Sequence, residues 1–284
     1  MSTADVERPI VVGVDGSEPS THALEWAVDE ARRRGRPLRL VHGLEHSGHP
    51  HAAEQERAAA QEVVDTAVAQ TAGSGLDVQP VLEVGSASAV LVKEGPDAEM
   101  IVLGARGHGG FGGLLLGSTS LQVAMHAACP VVVLRKGAED VVDGPSAGRV
   151  VVGVDGSPHS QRAAGLAFEE AQSRGVGLTA VRSWLAPEIG ITASPPVEWR
   201  EAQRHEQEAL SASLAEWRAL YPSVEVVEKT VREDPAGALI DESAGAVLLA
   251  VGSHGRGGFG GLVLGSVSHA ALHHAHCPVL VARR

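Results

Sequence analysis

Short apolar runs alternate with longer segments of helical period along this chain, and the whole alternation occurs twice. The first round opens on Ile10-Val11-Val12-Gly13-Val14 and the second on Val150-Val151-Val152-Gly153-Val154, each closed by Asp-Gly-Ser. Runs this short and this rich in branched residues predict strands buried on both faces. A helix is expected after each. Leu24, Ala27, Val28 and Ala31, and then Ala164, Ala167, Phe168 and Ala171, follow the i, i+3, i+4, i+7 spacing of a core-facing stripe. Gly35 and Gly175 stand where those helices should stop.

The remaining elements follow in the same order in both rounds. Second strands are expected at Leu38 to His42 and Leu178 to Val181, and second helices near Ala52 to Thr71 and Val197 to Leu220. Third strands span Val78 to Val84 and Val224 to Val231, with short helices at Ala87 to Lys93 and Ala236 to Ser243. Fourth strands are Met100 to Leu103 and Val247 to Val251, and fifth strands Pro130 to Arg135 and Pro278 to Arg283. The internal repeat divides the chain into domains at 1–136 and 149–284. Gly, Asp, Pro and Ser mark 137–148 as a linker.

Strands alternating with helices predict an α/β fold, here two tandem five-stranded parallel sheets with right-handed crossovers. Ligands in such sheets sit beyond the strand C-termini, where strand order reverses. The strands with distinctive ends are the first, at Asp15 and Asp155, and the fourth, at Gly104 and Gly252. Strand order 3-2-1-4-5 would bring each pair together.

Each fourth strand runs into a glycine-rich stretch, Gly104 to Ser118 and Gly252 to Ser266, with the same glycine placement. Glycine allows positive φ and close approach of a ligand to the main chain. Ser118 and Thr119, or Ser266, then offer to cap the following helix, whose N-terminus suits an anion. A plain surface loop would not need the placement twice. Gly107 to Gly112 and Gly255 to Gly260 also fit G-x-G-x-x-G, but the acidic residue expected about twenty positions on is replaced by Val132. No Lys precedes Ser118 or Ser266, so a Walker A loop is excluded as well.

Composition narrows the picture further. The formal charge of −12 offers no basic stripe for nucleic acid. No apolar stretch is long enough to span a membrane, and the first residues are no signal peptide, so a cytoplasmic protein is expected. Cys129 and Cys277 each precede a proline at matching places and read as buried small residues rather than a disulfide.

With these features the chain resembles the universal stress protein family in its tandem, ATP-binding form, over nearly its whole length. The family motif G-x2-G-x9-G-[ST] is met by Gly104, Gly107, Gly117 and Ser118, and again by Gly252, Gly255, Gly265 and Ser266. The resemblance implies a Rossmann-like, adenine-nucleotide α hydrolase fold that binds ATP, in some members with a divalent cation such as Mg2+. It places Asp15 and Asp155, with Gly13 and Gly153 just before them, beside the nucleoside, and Val41 and Val181 beside adenine. The phosphates fall to the loop and helix start: Gly104, Arg106, Gly107, Gly109, Gly110, Gly117, Ser118 and Thr119 in one repeat. In the other they fall to Gly252, His254, Gly255, Gly257, Gly258, Gly265, Ser266 and Val267. Arg106 corresponds to His254 and His108 to Arg256; an arginine at either place can pair with phosphate or stand as a solvated side chain. Asp15 and Asp155 also suit a turn or cap, although their recurrence favours the ligand reading.

The resemblance further implies a nucleotide-dependent stress-response regulator, with protein partners and a homodimer as expectations. The competing class is an ATP-hydrolysing or nucleotidyl-transferring enzyme on the same architecture, and a third is an ATP-independent scaffold. No catalytic residue stands out. Ser17 and Ser157 lie outside G-x-S-x-G and read as helix caps. His269, His273 and His276 share one helix face, but the first repeat has Leu121, Met125 and Ala128 there. The apolar positions common to both helices, Val123, Ala124 and Ala127 with Ala271, Leu272 and Ala275, mark the core, so that stripe is expected to face solvent. His42, His46, His49 and His51, a second cluster that could suggest a metal, lie in or beside a loop, and like the helix stripe they are not assigned as a metal site.

Overall fold

The structure is a computed structural model and describes residues 7–45, 53–107, 115–135, 142–185, 196–256 and 263–283. The chain forms two compact units, one running through Lys136 and one starting at Gly137.

The first unit contains β1 (Ile10–Gly13), α1 (Glu18–Arg34), β2 (Leu38–Leu44), α2 (Ala53–Gln70) and β3 (Val78–Val84). It continues with α3 (Ala87–Glu94), β4 (Met100–Gly104), α4 (Ser118–His126) and β5 (Val131–Leu134). All pairings are parallel, in the order β3-β2-β1-β4-β5, with Gly13 opposite Val41 and Ile10 opposite Met100. The expected order holds, and continuous apolar strands such as Val131-Val132-Val133-Leu134 are buried along their length, as in a parallel sheet covered on both faces.

The second unit repeats the plan with β6 (Val150–Gly153), α5 (Pro158–Arg174), β7 (Leu178–Ser183), α6 (Pro196–Leu220) and β8 (Val226–Val231). It ends with α7 (Pro235–Glu242), β9 (Leu248–Gly252), α8 (Ser266–His274) and β10 (Val279–Ala282). Its order is β8-β7-β6-β9-β10, again parallel. The β8 strand begins two residues later than the apolar pattern suggests, since the Val224 N–H turns back to Tyr221 O at 3.1 Å. Residues 142–148, within the stretch read as a linker, are tied to this unit. Ser146 Oγ donates to Glu242 Oε2 at 2.5 Å, and Gly148 N–H to Gly245 O at 2.9 Å.

Helices α1 and α5 begin and end as the sequence expects. Ser17 and Ser157 cap them, accepting from Ser20 N and Ser160 N at 3.3 and 3.2 Å. Gly35 and Gly175 close them at φ 62° and 66°, the left-handed region that a Cβ disfavours. Leu24, Ala27 and Ala31 are buried as the stripe requires, and so are Ala164, Ala167, Phe168 and Ala171; Val28 is only half-buried. Each helix also hides a glutamate. Glu30 and Glu170 have no exposed surface, and Arg33 meets Glu30 at 2.7 Å while Arg174 meets Glu170 at 2.9 Å. A buried carboxylate needs such a partner.

The long helix α6 packs on α5 through a glycine. A Cβ on Gly165 would lie 2.6 Å from the Trp217 ring, so the close crossing depends on its absence. Leu214 and Leu210, about one and two turns N-terminal to Trp217, are fully buried on that side of α6. Cys129 and Cys277 are both unbridged and buried, and burial pushes each thiol up to about 12. No helix of the described residues is long and apolar enough to cross a membrane.

Candidate functional site

In the second unit, β6 and β9 run side by side and end at Gly153 and Gly252, which opens a crevice at the point where strand order reverses. Past Gly153, the Val154 N–H donates to Val181 O at 2.9 Å, so the strand ends level with β7. Asp155 then turns the chain into α5. Its Oδ1 accepts from Ser157 N at 2.8 Å, and its Oδ2 accepts from Arg256 N at 2.9 Å. Burial acts to raise this carboxyl, but hydrogen bonds from Ser157, Ser160 and the Arg256 N–H outweigh it and hold it below the ordinary carboxylate range. Asp155 is therefore an anion that latches the start of the glycine loop.

A cavity of about 550 Å3 lies over these strand ends. Of the residues singled out from the sequence, Gly153, Asp155, Val181, Gly252, His254, Gly255, Gly265, Ser266 and Val267 line it. Gly257 and Gly258 lie outside the described residues. His254 Nδ1 is 3.3 Å from Ser253 Oγ, and its ring is 5.2 Å from that of His159. Arg182, Ser183, Pro235 and Leu239 also line the cavity, and sequence reasoning did not single them out. The available signal for Arg182 is its place directly after Val181.

The first unit is built alike. Gly13 and Val41 are register partners, the Val14 N–H donates to Val41 O at 3.0 Å, and Asp15 Oδ1 accepts from Ser17 N at 2.9 Å. Gly104 ends β4, followed by Arg106 and Gly107, both exposed. Burial, and then the Arg106 charge, pull the Arg135 guanidinium below its ordinary value. His108, Gly109 and Gly110 lie outside the described residues, as do His46, His49 and His51.

The structure corrects two local expectations. Ser118, Thr119 and Ser266 do not cap the helices, because Gly117 and Gly265 occupy the cap position and no side chain caps either end. The third residue after each of those glycines is used instead, and in the other direction. Ser120 Oγ donates to Gly104 O at 2.7 Å, and Ser268 Oγ donates to Gly252 O, which pins each helix start to its strand end. The first N–H groups of α4 and α8 therefore keep no side-chain oxygen of their own, the condition under which a helix start receives an anion.

The second correction concerns why the motif needs glycine. None of Gly104, Gly107, Gly117, Gly252, Gly255 and Gly265 has positive φ. Their glycine character answers close approach within the protein. A Cβ on Gly104 would lie 2.5 Å from Pro19 O, and one on Gly252 2.9 Å from the His159 carbonyl carbon. One on Gly107 would lie 2.1 Å from Asp15 Oδ2, and one on Gly255 2.8 Å from Asp155 Oδ2. Gly117 and Gly265 are tight at 3.2 and 3.3 Å, where their N–H groups close the loop base on Ala105 O and Ser253 O.

The histidine helix keeps its core as expected, with Ala271, Leu272 and Ala275 buried. His269 and His276 are exposed, while His273 is half-buried with its ring 4.5 Å from that of His269. Among the described residues no group of three metal-ligating side chains gathers.

The profile of the Universal stress protein family matches residues 7–135 and again 147–283, the two units in turn. The chain belongs to the universal stress protein family. A universal stress protein of Mycobacterium tuberculosis is 37% identical over 297 residues, covering 100% of both chains. Another, from Mycolicibacterium smegmatis, is 36% identical over 304 residues, covering 100% of this chain and 99% of that one. Among solved structures, a universal stress protein of Archaeoglobus fulgidus superposes with a TM-score of 0.70 at 20% identity, covering 98% and 99%. That likeness supports the fold, and the family profile makes the chain a tandem universal stress protein.

Proposed function

We propose that this tandem universal stress protein binds ATP, one molecule in each unit, and acts through its nucleotide state as a stress-response regulator. One observation carries the reading: the cavity at the ends of β6 and β9 has an uncapped helix start on one wall and the buried side chain of Val181 on another. The first suits a polyphosphate and the second a flat apolar ring. In this reading Gly265, Ser266 and Val267 surround the phosphates, His254 flanks them, and Asp155 lies on the nucleoside side. Gly117, Ser118 and Thr119, with Arg106, serve the same end in the first unit, with Asp15 and Val41 at the nucleoside. Mg2+, where present, would arrive on the triphosphate, since it keeps phosphate and water ligands. Cytoplasmic action, a protein partner sensitive to nucleotide state, and pairing of two chains belong to the same proposal.

The test is direct. Purified protein is denatured and the released small molecules are separated by chromatography. Adenine nucleotide approaching two equivalents per chain, or refilling to that level with added ATP, is the expected result. Protein that neither carries nor takes up nucleotide would overturn the reading in favour of an ATP-independent scaffold.

A further inference from the structure

Two guanidinium groups of the second unit, those of Arg182 and Arg256, come close to each other at the cavity. Arg182 ends β7 beside Val181, is 3% exposed, and lines the cavity. Its Nε donates to Glu206 Oε2 at 2.5 Å, but its Nη1 is buried with no hydrogen-bond partner among the described residues. A buried guanidinium N–H without an acceptor is unfavourable, and in native structures such groups signal an absent partner. Arg256 approaches the same spot. A Cβ on Gly156 would lie 2.8 Å from Arg256 Nη2 and 3.7 Å from Arg182 Nη1, so the two guanidinium groups flank a residue with no side chain.

The nearby carboxylates do not fill that gap. Glu206 holds the Nε side of Arg182, and Asp155 spends its two oxygens on the backbone N–H groups of Ser157 and Arg256. We propose that Arg182 and Arg256 form an anion clamp that holds a polyphosphate group in the second unit's cavity. The inference rests on the nucleotide reading of that cavity and names its specificity-determining residues. Guanidinium groups suit this role because their fixed N–H forks match phosphate oxygens and stay charged.

The clamp belongs to one unit. His42 and His108 hold the two corresponding places in the first repeat, which leaves Arg106 as the one arginine of that loop. His42 is also engaged, its Nδ1 lying 2.6 Å from Val14 O, so that nitrogen donates to the backbone. The second pocket therefore retains the anionic part of its ligand more strongly than the first.

Calorimetry on the full chain, stripped of nucleotide, tests this with sodium tripolyphosphate, adenosine and ATP as probes. One tripolyphosphate should bind per chain and be displaced by ATP. Arg256→Gln should weaken it by about tenfold or more, the loss expected for a charge-assisted hydrogen bond. Arg256 is exposed, so this variant does not endanger the fold. Arg182→Gln combined with Glu206→Gln avoids stranding a carboxylate and should weaken it similarly, with adenosine unaffected; Arg182→Lys should recover part. Tripolyphosphate binding that is indifferent to both arginines overturns the clamp, and so does a parallel loss of adenosine, which would put Arg182 on the base. Tripolyphosphate that responds to the variants in a protein taking no ATP would defeat the nucleotide reading and leave the clamp standing. ATP uptake indifferent to both arginines would do the reverse.

Discussion

The backbone N–H of Arg256 donates to Asp155 Oδ2 at 2.9 Å, joining a strand end to a loop 101 residues away. The same carboxylate caps its own turn through Ser157 N, so one charge organises both walls of the candidate site.

That latch has a definite pH dependence. The Asp155 carboxyl is held below its ordinary value, so its contribution is complete above the unfolded-state value of about 3.9. It fades as pH falls below that and is lost once pH passes through the lower folded-state value. Hydrogen exchange at the Arg256 amide should thus stay slow from neutral pH down to about 4 once the intrinsic rate is removed. Asp155→Asn puts an amide in place of one carboxylate oxygen and removes the charge. It should speed that exchange at neutral pH and flatten its response to acid. Unchanged protection would show that the loop is held by something else.

Motif glycines should prove structural as well as functional. A Cβ on Gly107 meets Asp15 Oδ2 at 2.1 Å, against 2.8 Å for Gly255 and Asp155. Gly107→Ala should therefore cost more than Gly255→Ala, within the roughly 1–3 kcal/mol usual for overpacking. Thermal melts give the comparison, and Asp15→Ala added to Gly107→Ala should restore part of the loss. Equal melting of the two single variants would refute the steric account.

The buried pair Glu170–Arg174 makes a separate prediction. Glu170→Ala leaves Arg174, whose side chain is 10% exposed, without its carboxylate, and should cost about 3–5 kcal/mol. Denaturant melts monitored in α5 check it. A loss no larger than that of a surface substitution would mean that Arg174 finds solvent on its own.

Most of the fold was legible in the apolar runs, because the first, fourth and fifth strands of each unit are buried almost throughout and so read as short apolar stretches. The third strands, β3 and β8, are half-buried, and the start of β8, like the ends of β2 and β7, falls two residues from where the pattern put it. Caps at Ser17, Gly35, Ser157 and Gly175 were visible because each rests on local chemistry. What escaped was tertiary. Glu30 and Glu170 look like surface helix residues until the packing hides them. Arg182 carries no motif; only the fold brings it within reach of Arg256. The serines after Gly117 and Gly265 looked like caps, yet the bond that matters runs from Ser120 and Ser268 back to the strand ends.

Site counting tests the central claim most directly. Isothermal titration of nucleotide-free protein with ATP should give two sites per chain, with Gly117→Val removing one and Gly265→Val the other. Thermal melts must show each variant still folded, since a Cβ at either position is tight but not blocked, at 3.2 and 3.3 Å from its nearest neighbour. Two sites that persist in both folded variants, or no ATP bound to the parent protein, would contradict the account.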